Sequence, residues 1–316
     1  MGKRQRIGRL RIGLIGWGTV GSALGELLDD GPLPLELARL GVRDAARGRA
    51  SPLPIGVDIG SAEALVAADD LDAVVELAGG TQGPLDWARE TLQAGRPYVT
   101  ANKALLATHG GELAQLADER GAALLGSASV GGGVPMIETV AHLAITRRVR
   151  AIRGLLNATT TFILSGMGEG QTYDQALAHA QTAGYAEADP TFDVTGRDAA
   201  QKLAILASVA WGRWRPESEV DTRGIVGIRP EPGATVRLVA SADEDGMRVG
   251  PMELQADDPM AAASGVESAL EVTLDDGARF RVSGPGAGGR VTAGAVYADL
   301  ARLVAGERPI LFGARR

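Results

Sequence analysis

The sequence contains no cysteine, only three histidines (His109, His142 and His179), and only three lysines (Lys3, Lys103 and Lys202) among 32 cationic side chains, the rest being arginine. Each shortage removes chemistry. Without cysteine there is no thiolate nucleophile, disulfide framework, iron–sulfur cluster or cysteine-ligated zinc site. Long hydrophobic runs are missing too. Uncharged stretches such as 154–168 are rich in Gly, Thr and Ser and are too short to span a bilayer. The basic start (Lys3, Arg4, Arg6, Arg9, Arg11) runs into a short strand and a glycine turn, not into the apolar run and small-residue cleavage site of a signal peptide. A cytoplasmic, soluble protein is expected.

What is present is an ordinary globular composition, with 45% hydrophobic and 22% charged residues. A length of 316 residues suggests two domains at roughly 150 residues each. A net charge of −7 argues against a general nucleic-acid or membrane-surface binder. Arg11–Ile15 reads as a short strand, followed by Gly16-Trp17-Gly18-Thr19-Val20-Gly21 and a helix-like Ser22–Leu28. Apolar runs at 73–78, 98–101 and 122–125 alternate with helix-like 85–94 and 105–120, which end at Gly95 and Gly121. Alternation of this kind predicts an α/β fold, a Rossmann-type doubly wound parallel sheet, over residues 1–128. The pattern changes near Ser129. A helix is expected from Met136 to Ala144, a second behind the Thr172-x-x-Gln175 capping box, and a third opened by Thr195-x-x-Asp198 and running to Ala210. From Ala234 strands dominate, with hairpins predicted at 235–253 and around Asp275-Asp276-Gly277. A last helix spans 292–304. The second domain is therefore α+β, covering 129–284, and segment 285–316 returns to complete the first.

The Gly16-x-Gly18-x-x-Gly21 turn, between strand and helix, lets backbone approach a pyrophosphate and presents helix N–H groups to it. At the end of the next strand the signals conflict. Asp44 suits a ribose 2′-hydroxyl, whereas Arg43, Arg47 and Arg49 suit a 2′-phosphate, so both NADP and NAD stay open. Nicotinamide chemistry on an alcohol or aldehyde needs a proton carrier beside the reacting oxygen. A cysteine thiohemiacetal is excluded outright. Tyr98, Tyr173, Tyr185 and Tyr297 precede Asn102, Leu177, Asp189 and Ala301 by four positions, so the Tyr-x-x-x-Lys device of short-chain dehydrogenases is absent. Each histidine reads as an ordinary surface or core residue. Lysine remains. Unlike arginine, a partly buried lysine can have its proton affinity tuned. Lys202 lies in a segment apolar on nearly every face, and Asp198, one turn earlier, either orients it or serves as the N3 member of a capping box. Lys103 follows a predicted parallel strand at its carboxyl end, where open α/β sheets bind ligands, unless it is a solvated loop lysine. Glu187, Asp189 and Asp193 crowd one short loop suited to a substrate ammonium or a cation, or to no ligand at all.

Several separate motifs, in order, resemble the homoserine dehydrogenase family. They are Ile12–Gly21, Val99-Thr100-Ala101-Asn102-Lys103, Ala128–Pro135, Leu156–Thr160, Gly184-Tyr185-Ala186-Glu187-Ala188-Asp189-Pro190 with Asp193, Gly196, Asp198 and Lys202, and Gly284–Gly288 with Thr292-Ala293. The resemblance implies reversible NAD(P)-dependent interconversion of L-homoserine and L-aspartate 4-semialdehyde, a step towards threonine, methionine and isoleucine. It implies Lys202 as acid/base, Asp198 in support, Lys103 beside the nicotinamide, and Glu187 on the substrate's amino group. Thr159, Tyr185 and Asp193 match further substrate positions. Gly16, Gly18, Thr19, Val20, Gly21, Arg43, Asp44, Gly79, Gly80 and Gly286 match the cofactor site. Backbone carbonyls of Val130 and Gly132 match a monovalent-cation site, sodium in the family. The chain departs from the family at Ser127, where relatives carry glutamate, and at Ala158 and Thr161, where an Asn-Gly-Thr-x-Asn segment is usual. It ends at Arg316 with no match to a regulatory domain, so feedback through one is not expected. The expected partners are a small-molecule substrate and a second copy of the chain, as a homodimer or higher homo-oligomer, with neither nucleic acid nor membrane. Two rivals stand beside this reading: a dinucleotide sensor without turnover, and a related oxidoreductase acting on another amino-acid aldehyde or amine.

Overall fold

The computed structural model describes residues 9–44, 46, 51–231 and 233–312, so Lys3, Arg47 and Arg49 lie outside the described residues. The chain divides into two compact units. Of the described residues, the first holds those up to Leu105, Glu112–Ala128 and 289–312; the second holds Leu106–Gly111 and Ser129–Gly288.

In chain order the first unit carries β1 (Leu10–Ile15), α1 (Thr19–Asp30), β2 (Leu35–Gly41), β3 (Asp58–Gly60), α2 (Ala62–Ala67), β4 (Ala73–Glu76), α3 (Gln82–Gln93), β5 (Tyr98–Thr100), the two ends of α4 (Lys103–Arg120) and β6 (Leu124–Leu125). All six strands pair in parallel, in the order β3-β2-β1-β4-β5-β6. Strands such as Ala73-Val74-Val75 are buried on both faces, which is why they read as unbroken apolar runs and not as alternating ones. The expected doubly wound sheet is therefore present. Its order reverses between β1 and β4, and this is the crevice where open α/β sheets take ligands. The last helix, α10 (Gly289–Val304), contributes Ala293, Val296, Leu300 and Leu303 to the same core as Leu24 and Leu28 of α1. Their spacing of three and four residues puts them on one helical face. The Leu33 amide donates to the Tyr297 hydroxyl at 3.2 Å, tying the middle of α10 to the segment between α1 and β2.

The second unit is built on α5 (Met136–Thr146), β7 (Val149–Leu155), α6 (Ala158–Gly168), α7 (Tyr173–Thr182), α8 (Thr191–Val194), α9 (Arg197–Trp211), β8 (Val220–Thr222), β9 (Val236–Asp243), β10 (Met247–Glu253), β11 (Glu267–Leu274) and β12 (Arg279–Pro285). Its six-stranded sheet, in the order β12-β11-β7-β9-β10-β8, is antiparallel except where β8 joins β10. Both predicted hairpins form. The Asp243 carboxylate accepts from the Asp245 and Gly246 amides, and Asp276 accepts from Ala278, so aspartate and glycine together close the turns. Helix α9 is buried from Asp198 to Ala210 on nearly every side, packed against α5, β9 and β10.

One local expectation fails, and one helix was not foreseen. The Thr172–Gln175 capping box is present on α7, but no such box opens α9. The cap is Gly196 at φ +85°, a left-handed conformation that excludes most side chains, and the Thr195 hydroxyl instead donates back to the Thr191 carbonyl at 2.6 Å. Asp198 is therefore not spent on capping. Helix α6 arises from a stretch whose threonines and glycines disguise it. Asn157 starts it by accepting from the Thr160 amide at 2.8 Å, a cap worth about 1 kcal/mol.

Candidate active site

In the first unit, the turn between β1 and α1 is shaped by contact. A Cβ at Gly21 would stand 2.2 Å from the Gly16 carbonyl oxygen, so the helix can tuck under the strand end only with glycine there. Gly18 caps α1 in open space, and among the described residues no side chain occupies the cap and no acid sits in the first turn. Thr19 is exposed and Val20 half-buried at the start of that helix. Free N–H groups, the positive end of a helix and the lack of competing anions fit the pyrophosphate of a dinucleotide. Gly79 and Gly80, beyond β4, are exposed and unobstructed. Arg43 is exposed, and the Asp44 carboxylate accepts from the Ala46 amide at 2.9 Å, closing a small turn at the end of β2. Gly286 belongs to the second unit, where a Cβ would meet the Ser268 hydroxyl at 1.9 Å. Its carbonyl lies 2.8 Å from where a Gly132 Cβ would be, so the glycine-rich segments 131–133 and 284–288 pack backbone to backbone.

Lys103 is the first residue of α4, half-buried. The Asn102 side chain caps that helix by accepting from the Leu105 amide at 3.1 Å, and its Nδ2 donates to the Gly80 carbonyl at 2.6 Å. Ser127 is tied to α10: its hydroxyl donates to Asp299 at 2.7 Å and its amide to the same carboxylate at 3.0 Å. Both Ser127 and Asp299 are buried.

The second unit gathers the predicted acid/base residues. Lys202 Nζ donates to Asp198 Oδ2 at 2.7 Å and to the Leu156 carbonyl at 2.8 Å. Asp198 is nearly sealed, with 6% of its side chain exposed, and Lys202 retains 16%. Asn157 Nδ2 donates to both Asp198 Oδ2, at 2.8 Å, and Asp193 Oδ1, at 2.6 Å. One neutral amide thus stands between two acids. Burial raises the Asp193 carboxyl above its ordinary range and the Asp198 charge adds to this, against the opposing effects of the Asn157 and Thr159 hydrogen bonds and the Lys202 charge. The Thr159 hydroxyl donates to the Tyr185 carbonyl at 2.7 Å, and the Tyr185 ring tilts against Phe162 at 5.1 Å between centroids. The loop of residues 184–190 is thereby pinned to α6. Glu187 is exposed on that loop, whose Glu187 and Ala188 carbonyls accept from Gln181.

Lys202, Asp198, Asp193, Thr159 and Tyr185 are thus joined through hydrogen bonds in the second unit, while Lys103 and the Gly16–Gly21 turn belong to the first. Two residues escaped prediction. Asn157 had a signal, an Asn before a run of threonines, which is a helix-start pattern. Glu76, wholly buried at the end of β4, had a fainter one: a single charge inside an apolar run.

A family model described as homoserine dehydrogenase matches residues 135–301, and one described as homoserine dehydrogenase, NAD binding domain, matches residues 16–125. The homoserine dehydrogenase of Synechocystis sp. is 38% identical over 93% of this chain and 73% of its own length. That of Bacillus subtilis is 33% identical over 95% and 74%. Among solved structures, a homoserine dehydrogenase from Thiobacillus denitrificans superposes with a TM-score of 0.86 at 31% identity, covering 94% of this chain and 73% of its own. A hyperthermophilic archaeal homoserine dehydrogenase in complex with NADPH gives a TM-score of 0.85 at 28% identity, covering 96% of this chain and 99% of its own.

Proposed function

The chain belongs to the homoserine dehydrogenase family, and from that premise we propose how its own side chains carry the reaction. It is an NAD(P)-dependent oxidoreductase acting on the hydroxyl group of homoserine, with L-aspartate 4-semialdehyde as the oxidised partner. Bound NAD(P) supplies the hydride acceptor, or as NAD(P)H the hydride donor. Gly16, Gly18, Thr19, Val20, Gly21, Gly79, Gly80 and Gly286 would hold it, with Arg43 and Asp44 at the ribose end.

The observation that carries the mechanism is the donor count at Lys202. An ammonium has three N–H donors. Asp198 and the Leu156 carbonyl take two of them. The third is left for the substrate oxygen, so Lys202 gives its proton to the aldehyde oxygen during reduction and takes it from the hydroxyl during oxidation. Asp198 fixes the direction of Nζ and stabilises the charged form. Glu187 and Asp193 supply carboxylates for the substrate ammonium. The Thr159 hydroxyl donates to the Tyr185 carbonyl, so its part is to hold the Tyr185 loop in place. Lys103 steadies negative charge developing on the reacting oxygen. Val130 and Gly132 carbonyls are the candidates for a monovalent cation. A carbonyl site survives loss of the family's glutamate side chain at Ser127, because the ligating atoms are main-chain oxygens.

The first unit is the dinucleotide-binding domain in this reading and the second the substrate domain. We place the protein in the cytoplasm, working as a homodimer or higher homo-oligomer. Exposed Ile145 and Phe280 on the second unit support association, and the net charge of −7 speaks against nucleic acid as a partner. Among the described residues no helix is long and apolar enough to cross a membrane.

The test is absorbance at the NAD(P)H band with purified protein, L-homoserine, and NAD+ or NADP+ in parallel. The expected result is homoserine-dependent growth of the band with at least one cofactor. Folded protein that binds NAD(P)H but gives no signal with either would favour the sensor reading and overturn this one.

A further inference from the structure

Glu76 is the last residue of β4 and wholly buried. A buried carboxylate is costly unless hydrogen bonds replace its lost water. Here they do, in a specific pattern. Oε1 accepts from the Ala78 amide at 2.7 Å and from the Gly79 amide at 2.9 Å, while Oε2 accepts from the Thr100 hydroxyl at 2.7 Å. The Thr100 oxygen in turn accepts from the Asn102 amide at 2.9 Å. Asn102 closes the circuit through its Nδ2, which donates to the Gly80 carbonyl, and caps α4 with its other side-chain atom. The strand register places Glu76 directly opposite Thr100, so the two side chains meet across neighbouring strand ends.

The ring therefore runs from Glu76 through the Gly79–Gly80 turn to Asn102, through Thr100, and back to Glu76. It laces together the ends of β4 and β5, the two places where this sheet offers backbone and Lys103 to a ligand. We propose that Glu76 is a positioning residue for hydride transfer: it sets the Gly79–Gly80 turn and the start of α4 as one body, so that cofactor held by the turn finds Lys103 already in place. The proposal rests on the homoserine dehydrogenase reading for its chemistry, but the ring itself does not. An ordinary turn cap would need only the two amide bonds to Oε1. The second arm, through Thr100 to the residue before Lys103, is what a positioning role adds.

Two variants separate the arms. Thr100→Val keeps the shape and removes the hydroxyl link, and Glu76→Gln keeps the shape and replaces one acceptor with a donor. Fluorescence titration with NADPH and NADH measures cofactor binding, and steady-state rates with a deuterated reduced cofactor give kcat, KM and the isotope effect. Thr100→Val is expected to lower kcat about tenfold, since a small misplacement of reacting groups is costly, while cofactor Kd moves less than about threefold. Thr100→Ser, which restores the hydroxyl, should recover most of that loss. Glu76→Gln should both lower kcat and raise cofactor Kd by about tenfold or more. If both variants melt earlier yet keep kcat, isotope effect and Kd within about twofold of wild type, Glu76 is a structural carboxylate and the proposal is wrong. Should the wild-type protein itself fail to oxidise homoserine, the functional reading falls. The cofactor titration of Glu76→Gln then still decides: an unchanged Kd overturns the ring, and a raised one upholds it.

Discussion

Lys202→Met separates a proton carrier from a structural ion pair. The methionine fills the same volume but donates nothing, so both Nζ bonds, to Asp198 at 2.7 Å and to the Leu156 carbonyl at 2.8 Å, are lost. Asp198 keeps its charge in a nearly sealed position and still receives Asn157. Removing one partner of a buried pair costs about 3–5 kcal/mol, and the Asn157 bond places this case near the lower end. General acid–base help is worth about a hundredfold or more, so turnover should fall by at least about a hundredfold while cofactor binding holds. Adding Asp198→Asn then removes the stranded charge. The double variant should regain most of the lost stability, about 2 kcal/mol, because the two residues are in direct contact and their effects do not add. It should regain none of the turnover. Thermal denaturation at one pH and initial rates of NAD(P)H formation from L-homoserine measure the two quantities on the same samples. If activity returned in step with stability, or if Lys202→Met alone stayed within about tenfold of wild type, Lys202 would not be the acid/base.

Lys103→Arg should abolish most activity with cofactor binding intact, since a planar guanidinium cannot replace a compact ammonium at the first turn of α4; full activity in the rate assay would refute this. Gly21→Ala should prevent NAD(P)H binding in a fluorescence titration, because the new methyl lies within 2.2 Å of the Gly16 carbonyl. Asp193→Asn should change the pH dependence of stability. Burial raises this carboxyl in the folded protein, so its favourable contribution is fully present below the unfolded value of about 3.9 and is lost as pH rises through the folded one. The variant lacks that loss, and its melting temperature relative to wild type should climb as pH rises above the unfolded value of about 3.9 while KM for homoserine worsens. A pH-independent difference would rule out the buried-charge explanation.

The sheet of the first unit was legible because buried parallel strands leave unbroken apolar runs, and the glycine turn because close approach leaves no room for a side chain. Helix α9 was legible in its apolar body but not in its start. Thr195-x-x-Asp198 has the letters of a capping box, yet Gly196 at φ +85° begins the helix one residue later. That shift decides the site: an Asp198 bonded to a cap amide would be a poorer partner for Lys202. The same limit explains Asn157 and Glu76. Each makes bonds to residues far away in sequence, Asn157 to Asp193 and Asp198, and Glu76 to Thr100. Local pattern cannot register such partners. The departure at Ser127 carried no sign of Asp299, 172 residues on, which holds its hydroxyl and amide.

The charges around Lys202 are unbalanced, and this bears on the substrate. Two carboxylates, Asp193 and Asp198, share one ammonium and one neutral amide. Asp198 has the lysine. Asp193 has Asn157, the Thr159 hydroxyl and the more distant Lys202 charge against its own burial and its neighbour's charge, and its carboxyl is still held above the ordinary range. A group left in that state gains most from a cation arriving beside it. An amino-acid substrate brings one, and its ammonium would stabilise the Asp193 carboxylate. On this argument the acids select for the amino group and not for chain length. An analogue with the same alcohol but no ammonium should therefore lose affinity, since it would leave the half-buried Asp193 without a cationic partner from the substrate.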